Sequence, residues 1–377
     1  MPGLLPNIDP DGLLEYSVVY TDRALNHMSQ RFQRGMQDVS MLLKRAYGAR
    51  AAIVVPGSGS FGMEAVARQF ATGKKVLVVR NGWFSYRWSQ IFEAGAIPSR
   101  TTVLAARRIE PGPQGAFAPA PIDEVVAAIG TEKPDLVFAP HVETSAGMLL
   151  PDAYLRAVAG AVHAHGGLFV LDCVASGAMW VDMKAIGVDI LVSAPQKGWS
   201  STPCAGLVML GDEARARIDA TTSSSFSMDL KKWLAIMEAH ENGGHAYHAT
   251  LPTDGLMHLR DAMQETAAFG FDAARDAQLD IGRRVRALLE ARGLPSVAAS
   301  GFEAPCVIVS YTERDDFQNT QAFLRQGLQI AAGVPLACDE GKDFKTFRIG
   351  LFGLDKLKNP ERTVQTFERA LDAALRV

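Results

Sequence analysis

The chain has 377 residues, 48% of them hydrophobic and 21% charged, with a net charge of −3. That composition is globular and long enough for two domains with real cores. The balance excludes a large nucleic-acid footprint, and no apolar run approaches a membrane span, so neither partner is expected. Residues 1–20 are rich in Pro, Gly and Asp and read as an N-terminal arm. No basic residue precedes Arg23 and no long apolar stretch occurs there, so no signal peptide is expected. Helical periodicity follows through Gln37–Lys44. Short apolar runs then alternate with amphipathic stretches. Ala51–Val55, Val76–Val79, Leu136–Ala139, Leu168–Leu171, Ile190–Ser193 and Leu207–Leu210 read as buried strands. Glu64–Phe70, Ile122–Ile129 and Tyr154–His165 read as helices between them, with His163 and His165 solvated on the last. The Pro/Gly/Ala-rich segment Ile109–Pro121 reads as a loop. This rhythm predicts an α/β fold, a mostly parallel doubly wound sheet covered on both faces. Leu256–Phe269 reads as a long helix leaving that sheet, and Val307–Tyr311 and Phe347–Leu351 as later strands. The expected division is an arm at 1–20, a large domain at 21–265 and a smaller α+β domain at 266–377.

Four cysteines, Cys173, Cys204, Cys306 and Cys338, are scattered with no C-x-x-C pair, which points to reduced thiols in a cytoplasmic protein. His240, His245 and His248 lie close in sequence, but no H-E-x-x-H pattern accompanies them, and no metal is expected.

Two residues carry the most chemistry. Lys197 follows the apolar run that ends in Ser193, and Asp172 closes the run Phe169–Leu171. Lysine is rarely buried without a purpose, and an amine in an apolar pocket loses proton affinity and gains nucleophilicity toward carbonyls. Pyridoxal phosphate needs such an amine for its Schiff base and an acid to keep its ring nitrogen protonated. A surface lysine at a strand end is the plain alternative.

Between the first strand and its helix lies Gly57-Ser58-Gly59-Ser60-Phe61-Gly62, literally G-x-G-x-x-G. Such a loop offers backbone N–H groups and a helix N-terminus to a phosphate. A dinucleotide fold would need an acid after the next strand, which instead ends Val79-Arg80-Asn81. Arg80 could meet a 2′-phosphate, so an NADP-binding oxidoreductase stays open, as does a glycine turn without ligand. Ser58 and Ser60 add hydroxyl donors suited to a phosphate monoester.

In order and spacing these motifs resemble the fold-type I pyridoxal-phosphate enzymes. Within them the chain is most similar to the class V aminotransferases of the alanine–glyoxylate and serine–glyoxylate (serine–pyruvate) group. The resemblance runs from Asn26-His27-Met28-Ser29 to Phe347-Arg348-Ile349-Gly350-Leu351. It implies a phosphate-binding turn at Ser58, Gly59 and Ser60. In Asn81-Gly82-Trp83-Phe84 it implies an aromatic side chain on the cofactor ring, Phe84 ahead of Trp83. His141-Val142-Glu143-Thr144-Ser145-Ala146-Gly147 resembles an H-x-E-[ST]-x-x-G stretch that puts the Thr144 hydroxyl near the cofactor. Asp172 matches the acid at the pyridine nitrogen, and Gln196-Lys197 the glutamine–lysine pair, with Gln196 near the ring hydroxyl. Tyr247-His248-Ala249-Thr250-Leu251-Pro252 resembles Y-H-x-T-x-P, whose Tyr and Thr reach the neighbouring subunit's phosphate, which implies a homodimer with the active site at the interface. Arg348 matches the arginine that clamps the substrate carboxylate, a geometry lysine cannot reproduce.

The implied function is transamination between alanine or serine and a 2-oxo acid, glyoxylate or pyruvate. The arm departs from many relatives: it reads Leu5-Pro6-Asn7-Ile8-Asp9-Pro10 where they have P-G-P-T. The H-x-E-T stretch also resembles the 2-aminoethylphosphonate transaminases. A lyase or desulfurase is another alternative, because Cys338 lies where such relatives carry a cysteine on a mobile loop.

Overall fold

The computed structural model describes residues 8–376, so Leu5, Pro6 and Asn7 of the arm motif lie outside the described residues. Ser29 opens the first helix, α1 (Gln30–Tyr47), by accepting from the Phe32 N–H, and Gly48 ends it in the left-handed conformation. Then come β1 (Ala51–Pro56), α2 (Gly59–Phe70), β2 (Lys75–Arg80), α3 (Trp83–Gly95), β3 (Arg100–Ala105) and α4 (Ile122–Glu132). These are followed by β4 (Leu136–Pro140), α5 (Asp152–His163), β5 (Leu168–Asp172), β6 (Ile190–Ser193) and β7 (Ala205–Leu210).

The seven strands form one sheet in the order β1-β7-β6-β5-β4-β2-β3. β2, β3, β4, β5 and β6 pair in parallel, and β7 pairs antiparallel with both β6 and β1. Helical crossovers explain the parallel pairs; the connection 194–204 contains no helix, so the chain returns antiparallel. The strands in the middle of the sheet are buried along their whole length, as expected where helices cover both faces.

β3 has no counterpart in the apolar-run reading. Its Arg100-Thr101-Thr102 start is polar because it lies at the sheet edge and stays partly exposed. The 109–121 loop also contains a two-residue strand, Phe117–Ala118, paired with Arg107–Arg108. His163 and His165 are not simply solvated. His163 bonds to Asp189 at 2.7 Å, and His165 lies past the end of α5 and meets the Pro134 carbonyl at 2.8 Å.

After β7 the chain forms α6 (Leu230–Glu241), α7 (Thr253–Phe269) and α8 (Phe271–Glu290). A second sheet joins β8 (Val307–Tyr311), β9 (Ala331–Ala332) and β10 (Thr346–Gly350), with β10 in the middle and both pairings antiparallel. α8 and α9 (Pro360–Leu375) pack on it over an aromatic core of Phe317, Phe323, Phe347 and Phe367. No helix among the described residues is long and apolar enough to cross a membrane.

Candidate active site

The C-terminal ends of β1, β2, β4, β5 and β6 converge on a cavity of about 190 Å³. Ser58, Gly59, Ser60, Phe84, Thr144, Asp172, Gln196 and Lys197 all line it. Openings at the carboxyl ends of parallel strands are where open α/β sheets bind ligands.

The phosphate-type turn is pressed against the strand carrying the acid. A Cβ added at Gly59 would lie 2.9 Å from Val174 Cγ2, two residues beyond Asp172, so any other side chain would push the two apart. Ser58 precedes α2 in extended conformation and its hydroxyl makes no capping bond. The Phe61 and Gly62 N–H groups donate to the Ser58 carbonyl at 3.0 and 3.2 Å, so it is the N–H groups of Gly59 and Ser60 that present the positive end of the helix dipole.

Asp172 ends β5, only 7% exposed, and its Oδ1 accepts from the Val174 N–H at 2.9 Å. Burial pushes its carboxyl up to about 6; the charge of Glu143 adds to the rise, and the Val174 bond and Arg87 oppose it. Lys197 is half-buried, with Nζ 4.8 Å from the centre of the Phe352 ring. Burial lowers its proton affinity, and the Arg348 charge lowers it further. Gln196 Oε1 is buried with no hydrogen-bond partner. A buried polar atom without a partner is costly, and one on a cavity wall is suited to a ligand donor.

Phe84 lines the cavity, whereas Trp83 turns its ring to Tyr86 at 5.6 Å. Phe84 is placed by Glu143, a fully buried carboxylate. Glu143 accepts from the Phe84 N–H at 3.2 Å, the Ser85 N–H at 2.8 Å and the Ser85 hydroxyl at 2.7 Å. It also accepts from the Ser145 N–H at 3.0 Å and the Ser145 hydroxyl at 2.7 Å. A negative charge at the N-terminus of α3 is favourable in itself. The fit requires Gly82, where a Cβ would fall 2.0 Å from Ser145 Oγ. The sequence contains Glu143 within its motif, but its positioning role emerges only from its donors on the distant segment Phe84–Ser85.

Arg348 lies on β10, its Nε–H bonded to the Ala332 carbonyl at 2.8 Å and its guanidinium carbon 5.6 Å from the Phe84 ring centre. It therefore stands at the rim, beside the ring that lines the cavity. Tyr247 and Thr250 are not brought there. Tyr247 is 55% exposed, and its hydroxyl meets Thr250 Oγ1 at 3.3 Å. The nearby histidines do not converge: His240 is buried on α6, His245 rests against His27, and His248 bonds to the Phe226 carbonyl. Cys338 is 6% exposed, and burial pushes its thiol up to about 12. Its loop is tied down by Glu340, which accepts from the Leu336, Ala337 and Cys338 N–H groups at 2.7, 3.3 and 2.9 Å.

A family model described as aminotransferase class-V matches residues 13–349. The chain belongs to the class V aminotransferases. The alanine–glyoxylate aminotransferase of Oryctolagus cuniculus is 26% identical over 360 residues, covering 92% of this chain and 86% of the relative. A 2-aminoethylphosphonate–pyruvate transaminase of Paraburkholderia phymatum is 28% identical over 375 residues, covering 93% of each. Among solved structures, the alanine–glyoxylate aminotransferase of Nostoc sp. superposes with a TM-score of 0.77 at 22% identity, covering 93% of this chain and 88% of that one.

Class V aminotransferases of this fold use pyridoxal 5′-phosphate, so this aminotransferase is a pyridoxal-phosphate enzyme. The cavity suits that group: a helix N-terminus with the Ser58 and Ser60 hydroxyls, a buried acid, a lysine of lowered proton affinity and an unmatched amide oxygen line it together. The glycine loop, by contrast, follows an edge strand whose one neighbour is antiparallel. It lacks the adjacent parallel β2 of a dinucleotide-binding unit.

Proposed function

We propose that this aminotransferase moves an amino group between a small amino acid, alanine or serine, and a small 2-oxo acid, glyoxylate or pyruvate. The observation that carries the reading is the grouping of Lys197, Asp172 and the start of α2 on one cavity, with the Arg348 guanidinium 5.6 Å from the Phe84 ring at its rim. Relatives named for alanine and glyoxylate support the choice of substrates.

Bound pyridoxal 5′-phosphate supplies the electron sink that makes the substrate Cα–H acidic. Ser58, Gly59 and Ser60 hold the phosphate with hydroxyls and first-turn N–H groups. Asp172 accepts a charge-assisted hydrogen bond from the ring nitrogen and keeps the proton there. Phe84 would offer its flat face to the ring, and Thr144 and the unpartnered Gln196 Oε1, on the same cavity, would offer it polar contacts. Arg348 grips the substrate carboxylate as a planar fork and fixes which bond at Cα is exposed. Lys197, with its lowered proton affinity, would be the residue that anchors the cofactor, and its Nζ would serve as the general base for the substrate Cα proton. Tyr247 and Thr250, turned away from their own cavity, complete the cavity of a second copy in a homodimer. Four buried unpaired thiols support a cytoplasmic location.

A second reading, an aminophosphonate donor, is supported by the 28% identical phosphonate relative covering 93% of both chains. The near-visible absorption spectrum separates the two. With L-alanine or L-serine, the yellow band of the purified protein is expected to fade toward the amine form of the cofactor. A band that responds only to 2-aminoethylphosphonate selects the second reading. A protein without a band after cofactor is added overturns both.

A further inference from the structure

We propose that Arg87 is a phosphate-binding residue, adding its guanidinium to the first turn of α2 as a donor to the cofactor's phosphate. The proposal rests on the cofactor site above and adds a cation that the motif resemblance does not include.

Arg87 stands one helical turn after Phe84 on α3, and residues three apart share a helix face. Both line the cavity, and the Arg87 guanidinium carbon lies 5.3 Å from the Phe84 ring centre. Its Nη1–H donates to Ser60 Oγ at 3.0 Å, which fixes the guanidinium beside the phosphate turn. Among the described residues no carboxylate lies within ion-pair distance of it. A guanidinium carries five N–H donors, and the Ser60 bond uses one. An arginine held half-buried on a cavity wall with unused donors and no carboxylate in ion-pair contact is a site for an anion.

Two anions enter this cavity, a phosphate monoester and a substrate carboxylate. Arg348 stands by the rim for the carboxylate. The residues lining the cavity include two cations, Arg87 and Lys197. Lys197 is committed to the ring, and the helix N-terminus offers only partial charge. That leaves Arg87 as the full positive charge on the wall to neutralise a phosphate dianion. Its field already reaches the rest of the cavity, holding Asp172 lower than burial alone would and lowering Lys197 further.

The test is absorbance titration of cofactor-free protein with pyridoxal 5′-phosphate and, separately, with unphosphorylated pyridoxal, for the parent, Arg87→Gln and Arg87→Lys. Arg87→Gln is expected to weaken phosphate-bearing cofactor binding about ten- to hundredfold, the loss of a charge-assisted contact, while pyridoxal binding stays unchanged. Arg87→Lys recovers part of the loss, since the charge returns without the fork. Equal affinity for pyridoxal 5′-phosphate in parent and Arg87→Gln overturns the proposal. Equal weakening of both ligands overturns it in favour of a purely structural role. A raised amino-acid KM with unchanged cofactor affinity overturns it in favour of a carboxylate contact. A parent protein that binds neither ligand refutes the cofactor site itself, an outcome distinct from the others.

Discussion

The cavity wall and its rim are built differently. The wall residues Asp172, Thr144, Gln196 and Lys197 sit at or just beyond the ends of strands buried throughout, and Glu143 fixes Phe84 through hydrogen bonds from two segments. The rim residue Arg348 comes from the smaller sheet, held by a backbone carbonyl of a two-residue strand. One tie between the wall and the segment after β10 is the Leu354 N–H donating to Ser200 Oγ at 2.6 Å, three residues past Lys197. The wall is thus held by one sheet and its hydrogen bonds, and the rim residue comes from a second, smaller sheet. A wall of buried strand ends suits a resident cofactor, and a rim residue from a different sheet suits a substrate that enters and leaves each cycle.

The sharpest way to break this comparison is Lys197→Ala. Turnover should fall by about a thousandfold or more, the range supplied by a positioned base, and borohydride should no longer trap cofactor on the chain. A variant retaining a substantial rate removes Lys197 from the chemistry. Arg348→Lys should act on the rim alone. It should raise the amino-acid KM and cut kcat/KM about ten- to hundredfold with cofactor affinity unchanged, because lysine cannot form the two-bond fork. A loss of cofactor affinity instead would erase the distinction between wall and rim.

Asp172→Asn tests what the wall costs when empty. Burial raises the Asp172 carboxyl from 3.8 to about 6. Between those values the folded state keeps a proton that the unfolded chain has lost, so stability falls as pH rises through that window. The loss is about 3 kcal/mol once the group is fully charged, from roughly two pKa units at about 1.4 kcal/mol each. Cofactor-free Asp172→Asn should therefore melt higher than the parent at pH 8, and the two should converge near pH 4, while activity drops severely. Identical melting curves at pH 8 would show that the carboxylate is not penalised by burial. The smallest effect is expected at Cys338. With its thiol pushed up to about 12, Cys338→Ser should leave transamination nearly unchanged, and the parent should release no sulfide from cysteine. Sulfide that disappears in the variant would give the rim a nucleophile.

Much of the wall was legible because each of its residues follows a buried strand or a glycine turn, and those signals are local. Lys197 and Asp172 stand out as charges at the ends of apolar runs. Arg87 did not stand out, because a charge within Trp83-Phe84-Ser85-Tyr86-Arg87-Trp88 reads as the solvated side of a helix. Glu143 was visible only as a letter in a motif; its five donors come partly from residues about sixty positions away. β3 escaped for the converse reason: an edge strand needs no continuous apolar run.

The sequence by itself determined the alternation of buried strands and helices, the parallel sheet, the family and the identity of the residues at the strand ends. The strands, helices and strand-end residues depend on patterns within a few residues, on burial, periodicity or turn chemistry, and the family on the order and spacing of such motifs along the chain. The tertiary structure decided that β7 runs antiparallel, that Phe84 rather than Trp83 lines the cavity, that Arg87 meets Ser60, and that Tyr247 and Thr250 are exposed outside the cavity lining. Those outcomes depend on which distant segments pack together, and no local pattern carries that choice, because the same side chain on the same helix can face solvent or a partner.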